Sequence, residues 1–142
     1  SSGYLGALVK QDRLETLPDT LLNCIQEKFR DDEQKYLGIS GRLRVLVYDS
    51  RKIKVSDMPT SLKDLSNPIS KGRIGWAPNN GSFQAHVSAL RHIWGEEETK
   101  EWLKGVQANT PKVYPKNSPQ VRAVDEGKLE IGWVNHYYKH KH

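Results

Sequence analysis

The chain has 142 residues, 36% apolar and 27% charged, with a formal net charge of +5 at neutral pH. This is the composition of one folded domain, and it excludes a disordered chain. No run of about 18 apolar residues occurs, so nothing reads as a membrane-crossing helix. The opening Ser1-Ser2-Gly3 lacks the basic and apolar regions of a signal peptide, which fits a cytosolic protein, a processed one or a truncated product. The single cysteine, Cys24, excludes an internal disulfide and a cysteine-built zinc site. Lying in a helical pattern, it reads as a small buried side chain.

Taken in order, Leu5, Leu8, Val9 and Leu14 have the spacing of a helix within residues 4–17, broken at Pro18. Asp19 is placed to cap a second helix through Leu21, Leu22, Ile25 and Phe29. Residues 30–35 form a charged turn. Residues 37–48 read as extended, with 45–48 the most buried part and Gly38 and Gly41 weakening the first half. Residues 49–57 are turn-like, and 59–65 predict a short capped helix ending before Pro68.

Residues 73–77 predict a short strand and 78–82 a turn. Phe83, Val87, Leu90 and Trp94 then predict a helix closed by Gly95. Residues 97–106 predict another, with Trp102, Leu103 and Val106 inward and Gly105 near its end. Residues 112–114 read as a strand before Pro115. Ser118 is placed to cap a helix with Pro119 at its first position, running through Val121 and Val124 to Gly127. Residues 129–134 predict the last strand. This order of strands and helices implies an α/β fold with a mostly parallel or mixed sheet.

Candidate chemistry gathers at the ends of the predicted strands, where ligands collect in α/β sheets. Asn80-Gly81-Ser82 stands between a strand and a helix start. Backbone N–H groups there favour a bound anion, and Gly81 lets the backbone approach it; the alternative is a plain helix cap by Asn80 or Ser82. Asn117-Ser118 repeats the arrangement, and Asn135 follows the last strand. Tyr137 and Tyr138 come next. At a strand-to-helix turn their phenol oxygens can converge, and paired oxygen donors suit a hard, highly charged cation. The alternative is one tyrosine in the core and one at the surface.

The basic residues are scattered, apart from Lys139-His140-Lys141-His142. They fit a solvated surface, or attraction of an anionic ligand, better than a nucleic-acid groove. His86 and His92 read as solvent-facing or core-edge residues. No Ser-His-Asp pattern, Walker loop or HExxH occurs, so the chain reads as a binding module rather than an enzyme.

Four stretches in order carry a resemblance: Leu37 to Tyr48, Gly72 to Phe83, Val113 to Pro119, and Gly132 to Tyr138 with its Asn135-His136-Tyr137-Tyr138. Together they resemble the periplasmic ferric-ion-binding proteins, the solute receptors of bacterial ABC iron importers. The resemblance implies a periplasmic-binding-protein type II fold. Residues 1–45 would be the end of the first lobe and the start of the crossover, and residues 46–142 most of a truncated second lobe. It implies Fe(III) held by Tyr137 and Tyr138, with phosphate or carbonate as a synergistic anion on Asn80, Gly81, Ser82, Asn117 and Asn135. Arg42 matches the arginine that carbonate-using relatives employ. It also implies a periplasmic or extracytoplasmic location and a membrane permease as partner. Phe83 stands where some relatives carry a further tyrosine ligand, and the first-lobe ligands have no counterpart here. The alternatives are a receptor for another anionic solute and a phosphate-handling enzyme with the same anion cradle.

Overall fold

A computed structural model describes residues 2–140. The chain divides into two compact units, Ser1–Arg42 and Leu43–His142. In the first, helix α1 (Ser2–Lys10) stops short of Leu14, where Asp12 takes a left-handed φ of 50°. Helix α2 (Asp19–Leu22) is a single turn with Pro18, not Asp19, at the N-cap position. The expected continuation through Phe29 is broken. Cys24 and Ile25 turn tightly onto the carbonyls of Leu21 and Leu22, and Arg30 Nε takes the Ile25 carbonyl at 2.8 Å. A separate 3-10 turn follows at Glu27–Phe29. Cys24 is therefore exposed, not buried as expected, with its thiol on the Thr20 carbonyl. Among the described residues of this unit Leu22 alone is buried.

The second unit is built on a four-stranded sheet, β1 (Arg44–Tyr48), β2 (Ile74–Trp76), β3 (Lys112–Val113) and β4 (Ile131–Asn135), in the order β1-β4-β2-β3. Strand β1 runs antiparallel to β4, while β2 is parallel to both β4 and β3. The sheet is mixed, as the sequence led one to expect. The extended segment expected over 37–48 is a strand only from Arg44. Tyr114 lies just beyond β3, but its N–H still reaches the Trp76 carbonyl at 2.9 Å.

Helices α3 (Gly81–Trp94), α4 (Glu96–Ala108) and α5 (Asn117–Asp125) complete the unit. Gly95, at a φ of 90°, both ends α3 and starts α4, a backbone position that side chains resist. Three glutamates in the first turn of α4 favour its positive end. The α5 helix starts at Asn117, before the expected cap. Lys116 is the N-cap residue and makes no side-chain capping bond, so Ser118 and Pro119 lie inside the helix.

The period-two alternation of β4 decides what packs where. Trp133, fully buried, meets Phe83 of α3 and Trp102 of α4 edge-on, with ring centres 4.9 and 5.5 Å apart. Replacing such a core tryptophan by alanine costs about 3–5 kcal/mol. Gly132 faces the other way. A Cβ there would stand 3.0 Å from Val47 Cγ2 and 3.5 Å from Val124 Cγ2, so α5 approaches the sheet closely because glycine leaves room. β2 pairs with β4 only as far as Gly132. The next N–H of β4, on Trp133, is taken instead by the buried Gln120 of α5 at 3.1 Å.

Candidate functional site

Strand β4 ends at Asn135, and the chain turns into a 3-10 helix, His136–His140. On a continued strand Tyr137 and Tyr138 would point to opposite faces. The turn instead sets their rings side by side, 4.5 Å between centres and tilted by 32°. The Tyr138 hydroxyl is hydrogen-bonded to that of Tyr137 and to the side chains of Asn117 and Ser118. Its pKa is pushed up, first by the bond to Tyr137, then by burial and by the neighbouring phenol's charge. The Asn117 and Ser118 bonds pull the other way.

Asn135 is 4% exposed and reaches outward from the strand end. Its Nδ2 donates to the Tyr137 hydroxyl and to Ser82 Oγ, each at 3.4 Å. Ser82 opens α3. Its N–H and its hydroxyl both go to Asn80 Oδ1, at 3.0 and 2.6 Å, so Asn80 caps α3, and the Ser82 N–H is one fewer donor for an anion. Gly81 is the first residue of the helix, and a Cβ there would meet nothing within 4 Å. Asn117, 1% exposed, opens α5.

Six of the residues singled out in the sequence fall into one connected set. Asn80, Ser82, Asn135 and Tyr137 are joined by hydrogen bonds, and Tyr138 brings in Asn117. Arg42 belongs to the first unit. Side chains beyond Tyr138, and with them the basic tail, lie outside the described residues.

Arg44 was not singled out, and it stands at the centre of the set. Its Nη1 donates to Ser82 Oγ and Asn135 Oδ1, both at 3.2 Å, and its Nη2 to the Trp133 carbonyl at 2.7 Å. The guanidinium lies 5.4 Å from the Phe83 ring centre and 5.8 Å from that of Trp133. Burial pulls its pKa down to about 10, opposed by attraction to Tyr137 and Tyr138. The sequence signal was its place at the head of the apolar run Val45-Leu46-Val47. His86, also on α3, meets Trp133 edge-on at 5.4 Å, and its enclosed Nε2 finds no hydrogen-bond partner among the described residues. Burial, then the Arg44 charge, brings its pKa down to about 4, so it is neutral near pH 7. His92 is exposed.

Among the described residues no cluster of three or more His, Cys, Asp or Glu side chains is placed to hold a metal ion. The donors that converge here are two phenols, amides and hydroxyls, beside a guanidinium and the start of a 14-residue helix. Such a set can offer oxygen to a hard cation and positive potential to an anion.

The family of bacterial extracellular solute-binding proteins matches residues 1–141. The major ferric iron-binding protein of Neisseria meningitidis is 36% identical over 138 residues, which is 96% of this chain and 41% of that protein. The Fe(3+)-binding periplasmic protein of Serratia marcescens is 37% identical over 114 residues, 80% of this chain and 33% of that protein. Among solved structures, iron-bound HitA from Pseudomonas aeruginosa superposes with a TM-score of 0.91 at 33% identity, over 96% of this chain and 44% of that one. The chain therefore spans less than half the length of these relatives. Its mixed α/β sheet is that of the type II periplasmic binding proteins, and the chain belongs to the bacterial extracellular solute-binding proteins.

Proposed function

We propose that this chain is part of an extracytoplasmic receptor for ferric ion, serving a membrane permease of an ABC importer. Tyr137 and Tyr138 supply phenolate ligands. A synergistic anion, phosphate or carbonate, lies against Gly81 and Ser82 at the start of α3, with Asn80, Asn117 and Asn135 around it. The observation that carries this reading is the tyrosine pair, side by side at the end of β4 with hydroxyls hydrogen-bonded to each other. Support comes from relatives whose names specify ferric iron.

The chemistry sets a sign for pH. With the Tyr138 phenol pushed above its usual range, ferric ion must displace its proton to bind. Loading then releases protons, and apparent affinity falls as the solution becomes more acidic. Two phenolates and one anion leave coordination positions for water or a chelator, so this chain binds more weakly than a receptor of full family length.

Titration with ferric citrate in phosphate buffer tests the reading. A visible phenolate-to-iron charge-transfer band is expected. Changing Tyr137 and Tyr138 together to Phe abolishes it, while Tyr114→Phe leaves it. A band that persists in the double variant overturns the proposal. Phosphate retention at the α3 start with no band at all would favour a receptor for another anionic solute. Turnover of a phosphoester would favour an enzyme with the same cradle.

A further inference from the structure

We infer that Arg44 is the positioning residue of this site: its guanidinium forks between Ser82 at the start of α3 and Asn135 at the end of β4, and so fixes the tyrosine pair against the helix end. The inference rests on the proposed function for what the site holds, but the clamp itself is a property of the chain. Three of its hydrogen bonds converge from two elements: Ser82 Oγ from α3, and from β4 both the Asn135 side-chain Oδ1 and the Trp133 carbonyl. Asn135 in turn reaches the Tyr137 hydroxyl. A single side chain on β1 therefore ties the start of α3 to the end of β4, and through Asn135 reaches Tyr137. The guanidinium addresses these acceptors from a rigid planar fork, a geometry that the compact, rotating ammonium of lysine does not reproduce.

The fold gives no reason for a charge here. The guanidinium is wedged beside Phe83 and Trp133, and its Nε is enclosed with no hydrogen-bond partner among the described residues. A methionine would fill the same space against the same rings but would leave Ser82 Oγ, Asn135 Oδ1 and the Trp133 carbonyl without these donors, so what the guanidinium adds to the packing is its set of hydrogen bonds. Lysine would keep the charge but could not make the fork. The fork shape points to positioning; the charge alone would be served by either residue.

The test is chemical rescue of the 142-residue chain. Arg44→Ala leaves a space of guanidinium shape, and methylguanidinium at low millimolar concentration can enter it. In the iron-free protein, amide resonances of Ser82, Asn135 and Tyr137 are expected to move on substitution and to return towards wild-type positions with methylguanidinium, but not with methylammonium. In the ferric titration, the variant is expected to bind at least about tenfold more weakly and to recover several-fold with methylguanidinium alone. Loss of stability cannot mimic this, because a guanidinium salt weakens folds. Should Arg44→Ala be too unstable, Arg44→Lys serves. It is expected to keep the fold by circular dichroism, to shift the same three resonances and to bind ferric ion about tenfold more weakly. Unchanged resonances and affinity in either variant, or recovery equally by methylammonium, overturn the inference. A charge-transfer band that survives removal of both tyrosines overturns the ferric reading instead and leaves the iron-free resonances to decide the clamp.

Discussion

Helices α3 and α5 each have an asparagine at their start, following a strand. At α3, Asn80 stands outside the helix and turns its side chain back onto Ser82. At α5, Asn117 is already the first helical residue, buried, with its side chain on Tyr138 and no capping bond at the residue before it. The first asparagine holds its own helix in place and leaves a serine hydroxyl to face the site. The second leaves its helix uncapped and faces the site itself. An identical local signal therefore divides into a stability device and a ligand-facing device, according to whether the helix starts one residue later or earlier.

The largest effect on this contrast is expected from Asn117→Ala. Removing one of the partners of the Tyr138 hydroxyl costs about 0.5–1.5 kcal/mol, read by urea unfolding, and under the proposed function lowers ferric affinity as well. Asn80→Ala removes an N-cap, which costs about 1 kcal/mol, and should change stability more than affinity. Asn80→Asp sharpens the point, since it keeps the capping acceptor. Unfolding is expected within about 0.5 kcal/mol of wild type, while phosphate retention falls through like-charge repulsion. Equal losses of affinity in Asn80→Ala and Asn117→Ala would erase the distinction between the two turns.

Acid separates the two helices by another route. His86 of α3 has its pKa brought down to about 4, against about 6.5 in an unfolded chain. The unfolded chain takes the proton first, so the contribution of neutral His86 is complete above pH ~6.5 and is lost as pH falls towards ~4. With the ring partly exposed, the loss is about 1 kcal/mol after allowing for screening. The α5 segment contains no histidine. Hydrogen exchange between pH 6.5 and 4.5 should thus show α3 amides losing protection before those of α5, and His86→Phe should flatten the difference. Asp49, held below the usual carboxylate range first by its hydrogen bond from Arg51, contributes above its unfolded pKa and loses that contribution only at more acid pH.

Smallest is the effect of Gly81→Ala. A Cβ there meets nothing within 4 Å, and alanine suits a helix start, so stability should change by no more than about 1 kcal/mol and should rise. If glycine is present for the approach of an anion, phosphate retention nonetheless falls. A variant with unchanged retention would show that nothing binds close to that backbone.

The strands at 44–48, 74–76 and 131–135 and the helix from 81 to 94 were legible because local pattern and tertiary role agree there. Apolar runs end at turn residues, and Gly95 closes its helix. Legibility failed where a side-chain contact overrides the local pattern. Apolar spacing in 19–29 promised a helix, but Arg30 takes the Ile25 carbonyl and the helix ends after one turn. Cys24 is exposed for the same reason. Ser118 and Pro119 looked like a helix start, but Asn117 is drawn inward and begins the helix earlier. Within the site, Asn80, Ser82, Asn135 and the tyrosines carried their own local signal. Arg44 carried only its place at the head of an apolar run, because its role comes from a strand pairing across some 90 residues of sequence.

That pairing also decides how the second unit would respond to force. The two ends of its outer ladder are tied together, with the Leu43 N–H on His136 Nδ1 at 3.1 Å and the His136 N–H on the Leu43 carbonyl at 2.9 Å. The next rung pairs Arg44 with Asn135. Because β1 and β4 are antiparallel, tension applied at Leu43 and His136 loads their rungs one after another instead of all together. The ladder would unzip from the end that carries the guanidinium clamp. The site would come apart at low force while Trp133 and the ring cluster beneath it stayed packed, so mechanical opening and loss of the binding geometry would be a single event.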